Sequence, residues 1–178
     1  QLASENQRKI EASGAKLMVT NCPECWQTFA NRYSDWGIKL PVEVVDGSGF
    51  FLQLIREGRL KPGPVDYNIV SYHDPCIWAR TAEVVDEPRQ VMNSIPGLDF
   101  KEPSAAGKNT RCCGGGRMFQ LTFPETAEAI AKHRLKELPQ VSAIITSCPF
   151  CRESLQQEGT PVLELVELLA QACNKKNI

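Results

Sequence analysis

Five of the eight cysteines in this 178-residue chain fall in a pattern that carries chemistry: Cys76, the vicinal pair Cys112-Cys113, and Cys148-Pro149-Phe150-Cys151. Thiolates in this arrangement ligate metal. A tetrahedral zinc ion takes four ligands, and two adjacent cysteines reach one small ion only with strain. An iron–sulfur cluster presents several irons over a few ångströms, so neighbouring cysteines can each bind a different iron. The pattern therefore points to a polynuclear redox centre, with a structural zinc module that assembles a complex as the rival reading. Thiol–disulfide exchange at a Cys-x-x-Cys unit is a third, but it leaves the vicinal pair without a role.

The residues around these cysteines, His73-Asp74-Pro75-Cys76, Arg111-Cys112-Cys113-Gly114-Gly115-Gly116 and Ser147-Cys148-Pro149-Phe150-Cys151, resemble the cysteine-rich CCG domain of heterodisulfide reductase and its relatives. Those relatives include the iron–sulfur subunits of glycolate and lactate oxidases. The resemblance covers about residues 64–172. It implies a [4Fe-4S] cluster, non-cubane in the best-understood members and more ordinary in others, held by Cys76, Cys112, Cys113, Cys148 and Cys151. It also implies an electron-transfer subunit of a multi-subunit oxidoreductase with flavin- or quinone-linked partners, reducing a disulfide or oxidising thiols.

The elements that must position the thiols follow from the apolar pattern. Strands are expected at residues 67–72, 98–102 and 143–146, and helices at 80–93, 124–138 and 165–172. Alternating strands and helices argue for an α/β fold, a parallel sheet flanked by helices. In such sheets, ligands bind beyond the carboxyl ends of the strands, where Cys76 and Cys148 follow their strands directly. Gly114-Gly115-Gly116 lets the backbone approach sulfur closely and donate N–H groups, although a glycine run alone is only a flexible loop. Pro75 and Pro149 shape the turns that present Cys76 and Cys151. Helix N-termini and neighbouring donors are expected to depress the thiol pKa values.

A second, shorter unit resembles the first in sequence. Leu17-Met18-Val19-Thr20 leading into Cys22-Pro23-Glu24-Cys25 reads like Ala143-Ile144-Ile145-Thr146 leading into Cys148-Pro149-Phe150-Cys151. Pro41-Val42-Glu43-Val44-Val45, followed by a helical pattern over 50–60, parallels Pro161-Val162-Leu163 and the helix over 165–172. The fold expectation is thus two Rossmann-like repeats, divided near Lys61-Pro62-Gly63-Pro64 into residues 1–62 and 63–178. Only the closing Cys-x-x-Cys of the first repeat is present, so that repeat is expected to be completed by preceding residues or a partner chain. Cys22 and Cys25 are candidates for a second cluster or a zinc ion, or else stay unliganded thiols.

The remaining candidates are weaker. His73 near the cluster edge offers a hydrogen bond or a proton, against a structural role at the strand end, and Arg117 offers charge to the cluster or to an anionic substrate, against an ordinary surface position. His133 is expected on a solvent face and Cys173 as a small buried hydrophobe on the last helix. A net charge of −1 gives no basic field for nucleic acid. No apolar run reaches the ~20 residues that span a bilayer, so attachment to the inner face of a membrane would need a partner. Two Cys-x-x-Cys units and a vicinal pair are poor disulfide geometry, which favours a reducing, cytoplasmic setting.

Overall fold

The computed structural model of the chain describes residues 1–156 and 159–174. Its elements, in order, begin with α1 (Leu2–Ser13), β1 (Leu17–Thr20) and α2 (Pro23–Gln27). A π turn at Thr28–Arg32 then leads to α3 (Tyr33–Asp35), β2 (Glu43–Asp46) and α4 (Gly47–Arg56). After the proline-rich link come β3 (Ile69–His73), α5 (Cys76–Arg80), α6 (Asp86–Asn93) and β4 (Asp99–Phe100). The chain continues with α7 (Arg117–Thr122), α8 (Pro124–Glu137), β5 (Ala143–Thr146), α9 (Pro149–Leu155), β6 (Val162–Glu164) and α10 (Leu165–Ala172).

All strand pairs are parallel, as the alternation of strands and helices requires. β1 and β2 form a two-stranded sheet, and the other four strands lie in the order β4-β3-β5-β6. The central strands read Ile-Val-Ser-Tyr-His and Ala-Ile-Ile-Thr, and all of β5 is buried, as befits parallel strands covered on both faces. Val70, Tyr72, Val91, Ile145, Leu165 and Leu168 form the main core.

The two strand-to-helix units correspond in detail. Cys22 caps α2 and Cys148 caps α9, each followed by proline at the first helical turn, where a missing N–H costs nothing. Each sulfur accepts the N–H three residues on, from Cys25 at 3.4 Å and from Cys151 at 3.5 Å. Thr20 stands opposite Asp46 across β1 and β2, as Thr146 stands opposite Glu164 across β5 and β6. Asp46 and Glu164 then cap α4 and α10.

The first sheet is thinly covered. α1 has no buried residue, and Leu17 and Val19 on β1 remain 39% and 37% exposed. α4 nevertheless packs on the second sheet: Leu52 is buried with Val70, Leu168 and Leu169, and Arg56 donates to Gln90 of α6. Trp26 of α2 meets the buried Trp78 of α5, ring centroids 5.4 Å apart. Packing runs across the 61–64 link without a break.

Several boundaries differ from the pattern-based expectation. Of the helix expected over 80–93 only the part from Asp86 forms, since α5 ends at Arg80 and residues 81–85 are a link; Pro88 deeper inside one continuous helix would lose a hydrogen bond and clash with the preceding turn. α6 instead starts at Asp86, which places Pro88 in its first turn, and Glu83 takes a left-handed φ of 58° in the link. β3 lies two residues later than expected at its start and takes in His73. β4 is only Asp99–Phe100, an edge strand that stops before Pro103. α4 begins at Gly47, earlier than expected, because Asp46 accepts the Gly49 N–H at 2.7 Å, and Gly58 at φ 70° ends its turn.

Leu52→Ala tests this shared core. The substitution is expected to cost about 2–5 kcal/mol and to lower the urea midpoint of a single transition. Two separate transitions, only one of them shifted, would show that the units fold independently.

Candidate metal centre

β3 and β5 lie side by side, with His73 opposite Thr146 at their carboxyl ends. The Thr146 hydroxyl donates to the His73 carbonyl at 3.0 Å, closing the ends of the two strands together. Cys76 follows three residues after one strand end and Cys148 two residues after the other. Both therefore emerge on one edge. The vicinal pair comes from elsewhere, the long connection between β4 and α7, which carries only a short 3-10 turn at Gly107–Asn109.

Asp74 brings that connection to the same edge. Its side chain is 1% exposed and forms a two-pronged pair with Arg89 at 2.8 and 2.9 Å. Its carboxylate also accepts the Gly107 N–H at 2.8 Å, and its carbonyl accepts the Thr110 hydroxyl at 3.0 Å. Arg80 adds bonds to the carbonyls of Lys108 and Thr110. One residue before Pro75-Cys76 thus fixes the backbone just before Cys112-Cys113.

Beyond the pair, the glycines are dictated by space. Gly114 has φ 78°, and a Cβ there would run into the Ala127 carbonyl oxygen. A Cβ at Gly115 would lie 2.6 Å from the Phe150 carbonyl oxygen and 3.1 Å from the Cys113 sulfur. The loop is wedged between α8 and the start of α9. Ser154 secures it by donating to the Cys113 carbonyl at 2.5 Å.

All five sulfurs line one cavity of about 110 Å³. Cys113, Cys148 and Cys151 form its buried wall, while Cys76 and Cys112 are exposed at its mouth. Gly115 and Gly116 line it as well, with Pro23 and Glu24 from the first unit at the rim. The Cys113 and Cys151 sulfurs stand 3.2 Å apart, too far for the ~2.05 Å of a disulfide. Backbone donors converge on sulfur: Gly114 N–H on Cys112 and Gly115 N–H on Cys113, both at 3.3 Å.

The expected uniform depression of thiol pKa values is corrected by this crowding. Hydrogen bonds from Cys112, from Cys151 and from His73 hold Cys113 well below the usual thiol range. Cys148 is lowered too, chiefly by its bond to Cys151. Their partners move the other way: the interaction with Cys113 pushes up both Cys112 and Cys151, and burial pushes up Cys76. One thiolate makes the next more costly, because like charges a few ångströms apart in a poorly solvated site repel. A multivalent cationic centre removes that penalty. A soft, all-sulfur donor set with inward N–H groups fits an iron–sulfur cluster.

His73, 1% exposed, is brought to this group: a ring nitrogen and the sulfurs of Cys113 and Cys151 lie within 4.8 Å of one another. Arg117 is not among the cavity residues and pairs instead with Glu153 at 3.1 Å on the surface. His133 faces solvent, as expected, 3.4 Å from Glu137. Cys173 is exposed, not buried as expected, because α10 ends there: it is the C-cap residue, its backbone N–H bonds the last turn, and it lies at the rim of an apolar groove. Burial pushes the Cys22 thiol up to about 12, while Cys25 is exposed. The residue that the pattern reading passed over is Arg134, whose side chain is fully buried behind His73. Its signal was present in the chain. Ala127, Ala131, Arg134 and Leu138 make one apolar stripe at helical spacing, and a cation inside such a stripe must be paired.

The fold and site define a cysteine-rich α/β domain with a cavity lined by five cysteines at the carboxyl edge of its sheet. The model of the cysteine-rich domain family designated CCG matches residues 70–156 of the chain. The chain is 36% identical to a subunit of the fumarate reductase (CoM/CoB) of Methanothermobacter marburgensis, over 96% of this chain and 35% of that protein. It is 33% identical to a subunit of the dihydromethanophenazine:CoB–CoM heterodisulfide reductase of Methanosarcina mazei, over 97% of this chain and 44% of that protein. A probable iron–sulfur-binding oxidoreductase, FadF of Bacillus subtilis, is 29% identical over 97% of this chain and 26% of its own length. The chain thus spans less than half the length of these relatives.

Removing the Asp74 carboxylate takes one of two carboxylate partners from the partly buried Arg89, strips the Gly107 N–H of its acceptor and releases the connection before Cys112. Asp74→Ala is expected to cost about 1–3 kcal/mol in urea unfolding, chiefly from the buried Gly107 N–H left without its acceptor. Glu83→Ala, which breaks a fully exposed pair with Lys108, should leave the midpoint unchanged. Equal effects from the two variants would remove Asp74 from its organising role.

Proposed function

We propose that this chain is an iron–sulfur electron-transfer component of a multi-subunit oxidoreductase, with a [4Fe-4S] centre held by Cys76, Cys112, Cys113, Cys148 and Cys151. The observation that carries this reading is the convergence of five thiols, from three separate loops, on one cavity. The names of the relatives, which include a heterodisulfide reductase and an iron–sulfur-binding oxidoreductase, favour a disulfide or a pair of thiols as the substrate. The cluster supplies one-electron transfer and, in a non-cubane form, an iron open to a substrate sulfur.

The chain's own residues shape that chemistry. Cys113, Cys148 and Cys151 hold the buried side, and Cys76 and Cys112 hold the side that meets solvent. A substrate disulfide would approach that exposed side, past Pro23 and Glu24. N–H groups of Gly114, Gly115 and Cys151 draw charge from their sulfurs, which favours the reduced state. Cys22 and Cys25, arranged like Cys148 and Cys151, hold a second cluster or a zinc ion in the intact assembly. Flavin- or quinone-linked subunits are the proposed electron partners. Among the described residues no helix is long and apolar enough to cross a membrane, so any attachment would run through such a partner.

A structural zinc module is the second reading, favoured by the His73, Cys113 and Cys151 group. That group leaves Cys76, Cys112 and Cys148 outside it, of which a tetrahedral zinc takes at most one more. Metal analysis separates the two: anaerobically prepared protein should be brown, with about four irons per chain and acid-labile sulfide. Zinc alone in protein never exposed to air would overturn the cluster.

The ligands should also be unequal. Cys148→Ser, at the buried end of a central strand, should lose most of the iron. Cys112→Ser or Cys113→Ser should keep part of it with an altered electron paramagnetic resonance spectrum. If either member of the pair can be replaced without changing iron content, spectrum or activity, the centre is a four-ligand cubane. Gly115→Ala, which pushes a methyl group against Phe150 and the Cys113 sulfur, should lower iron uptake while circular dichroism stays native.

A further inference from the structure

Arg134 is a buried cation on α8 whose three bonds are all accounted for. Its Nε donates to His73 Nδ1 at 3.2 Å, one Nη to the Ala105 carbonyl at 3.0 Å, and the other to Glu137 at 3.5 Å. A guanidinium has no acceptor and stays protonated, so the contact with His73 has only one possible polarity. His73 Nδ1 must present its lone pair. A neutral imidazole that accepts at Nδ1 carries its proton on Nε2, which makes Nε2–H the ring's one remaining donor. The ring lies beside the Cys113 and Cys151 sulfurs, and its hydrogen bond helps to hold negative charge on Cys113.

This polarity is the reverse of what a metal-binding histidine needs. A ligating imidazole gives one nitrogen's lone pair to the metal and donates its other N–H to a carboxylate or carbonyl. Here the outer partner of His73 is itself a donor. Ligation through Nε2 would leave the ring without a proton on either nitrogen, or would break the bond to Arg134 and leave its buried Nε–H without an acceptor.

We propose that Arg134 is a positioning residue that locks His73 as an Nε2–H donor to the sulfurs of Cys113 and Cys151, so that His73 raises the reduction potential of the centre without ligating it. The potential part rests on the cluster reading above. An N–H bond to sulfur favours the reduced, more negative state, and its loss lowers the potential. The tautomer part rests on the protein alone.

The test uses the full chain, anaerobically reconstituted, with iron content, visible spectrum and midpoint potential measured together. His73→Met should keep its iron and shift the potential down. His73→Gln, whose side-chain amide can reach the place of Nε2–H, should restore the potential towards the unsubstituted protein. Arg134→Met, with iron unchanged, should shift the potential in the same direction as His73→Met, and the double variant should go no lower than His73→Met alone. Nitrogen NMR of the unsubstituted, metal-free reduced chain supplies a check that needs no buried substitution. With two histidines in the chain, His133→Gln identifies the second signal, and His73 should show a protonated Nε2 and a bare Nδ1. Loss of iron in His73→Met with native circular dichroism would make His73 a ligand and overturn the proposal. An unchanged potential in His73→Met and Arg134→Met would overturn the tuning role, and a protonated Nδ1 would overturn the lock. Zinc in place of iron in the unsubstituted protein would sink the cluster reading and the potential with it, while the tautomer would still decide the role of Arg134.

Discussion

The buried carboxylate of Asp74 is the point at which the separate parts of the site are tied together. It sits between His73, the last residue of β3, and Pro75-Cys76, and it accepts from Arg89 and from the Gly107 backbone. A buried carboxylate is tolerated only when its charge and lone pairs are satisfied, so these partners are obligatory. Because one of them belongs to the connection between β4 and α7, satisfying the charge also places that connection. The vicinal cysteines follow within a few residues. Without this tie, a segment with little regular structure would have to find the sheet edge by packing alone.

Close approach does the rest. Gly114 and Gly115 let the loop pass within van der Waals contact of the Ala127 and Phe150 carbonyls, where any side chain would collide. The sulfurs are consequently crowded before any metal arrives. Crowding splits the thiols into two that ionise readily, Cys113 and Cys148, and three that resist. Such a set is poorly suited to being empty. The electrostatic strain among thiolates is relieved by a cationic centre, which couples metal binding to the stability of the loop.

The first unit contributes to the same region. α2 lies against α5 through Trp26 and Trp78, and the Trp78 indole donates to the Ser147 carbonyl beside Cys148. Pro23 and Glu24 form part of the cavity rim. The two Cys-x-x-Cys turns are built alike, with matching strand register and matching helix caps. Their surroundings differ, since Cys148 and Cys151 are buried at the carboxyl edge of a four-stranded sheet and Cys25 is exposed at that of a two-stranded one.

The cysteine spacing, the glycine run and the short β-branched strands were legible in the chain because each is local information. A strand ending in Cys-Pro-x-Cys reads as a sheet-edge turn wherever it occurs, and β5 and α10 fall where their apolar patterns put them. Local reading failed at 80–93, where Pro88 outweighed the apolar periodicity, and at Cys173, whose exposure depends on where α10 ends against its neighbours. The partnership of Arg134 with His73 was decided only by tertiary structure. The apolar stripe on α8 marks Arg134 as anomalous, but 61 residues separate it from the imidazole it meets. Only the packing of α8 across the end of β3 brings donor to acceptor, and no periodicity encodes a contact between two elements that far apart in the chain.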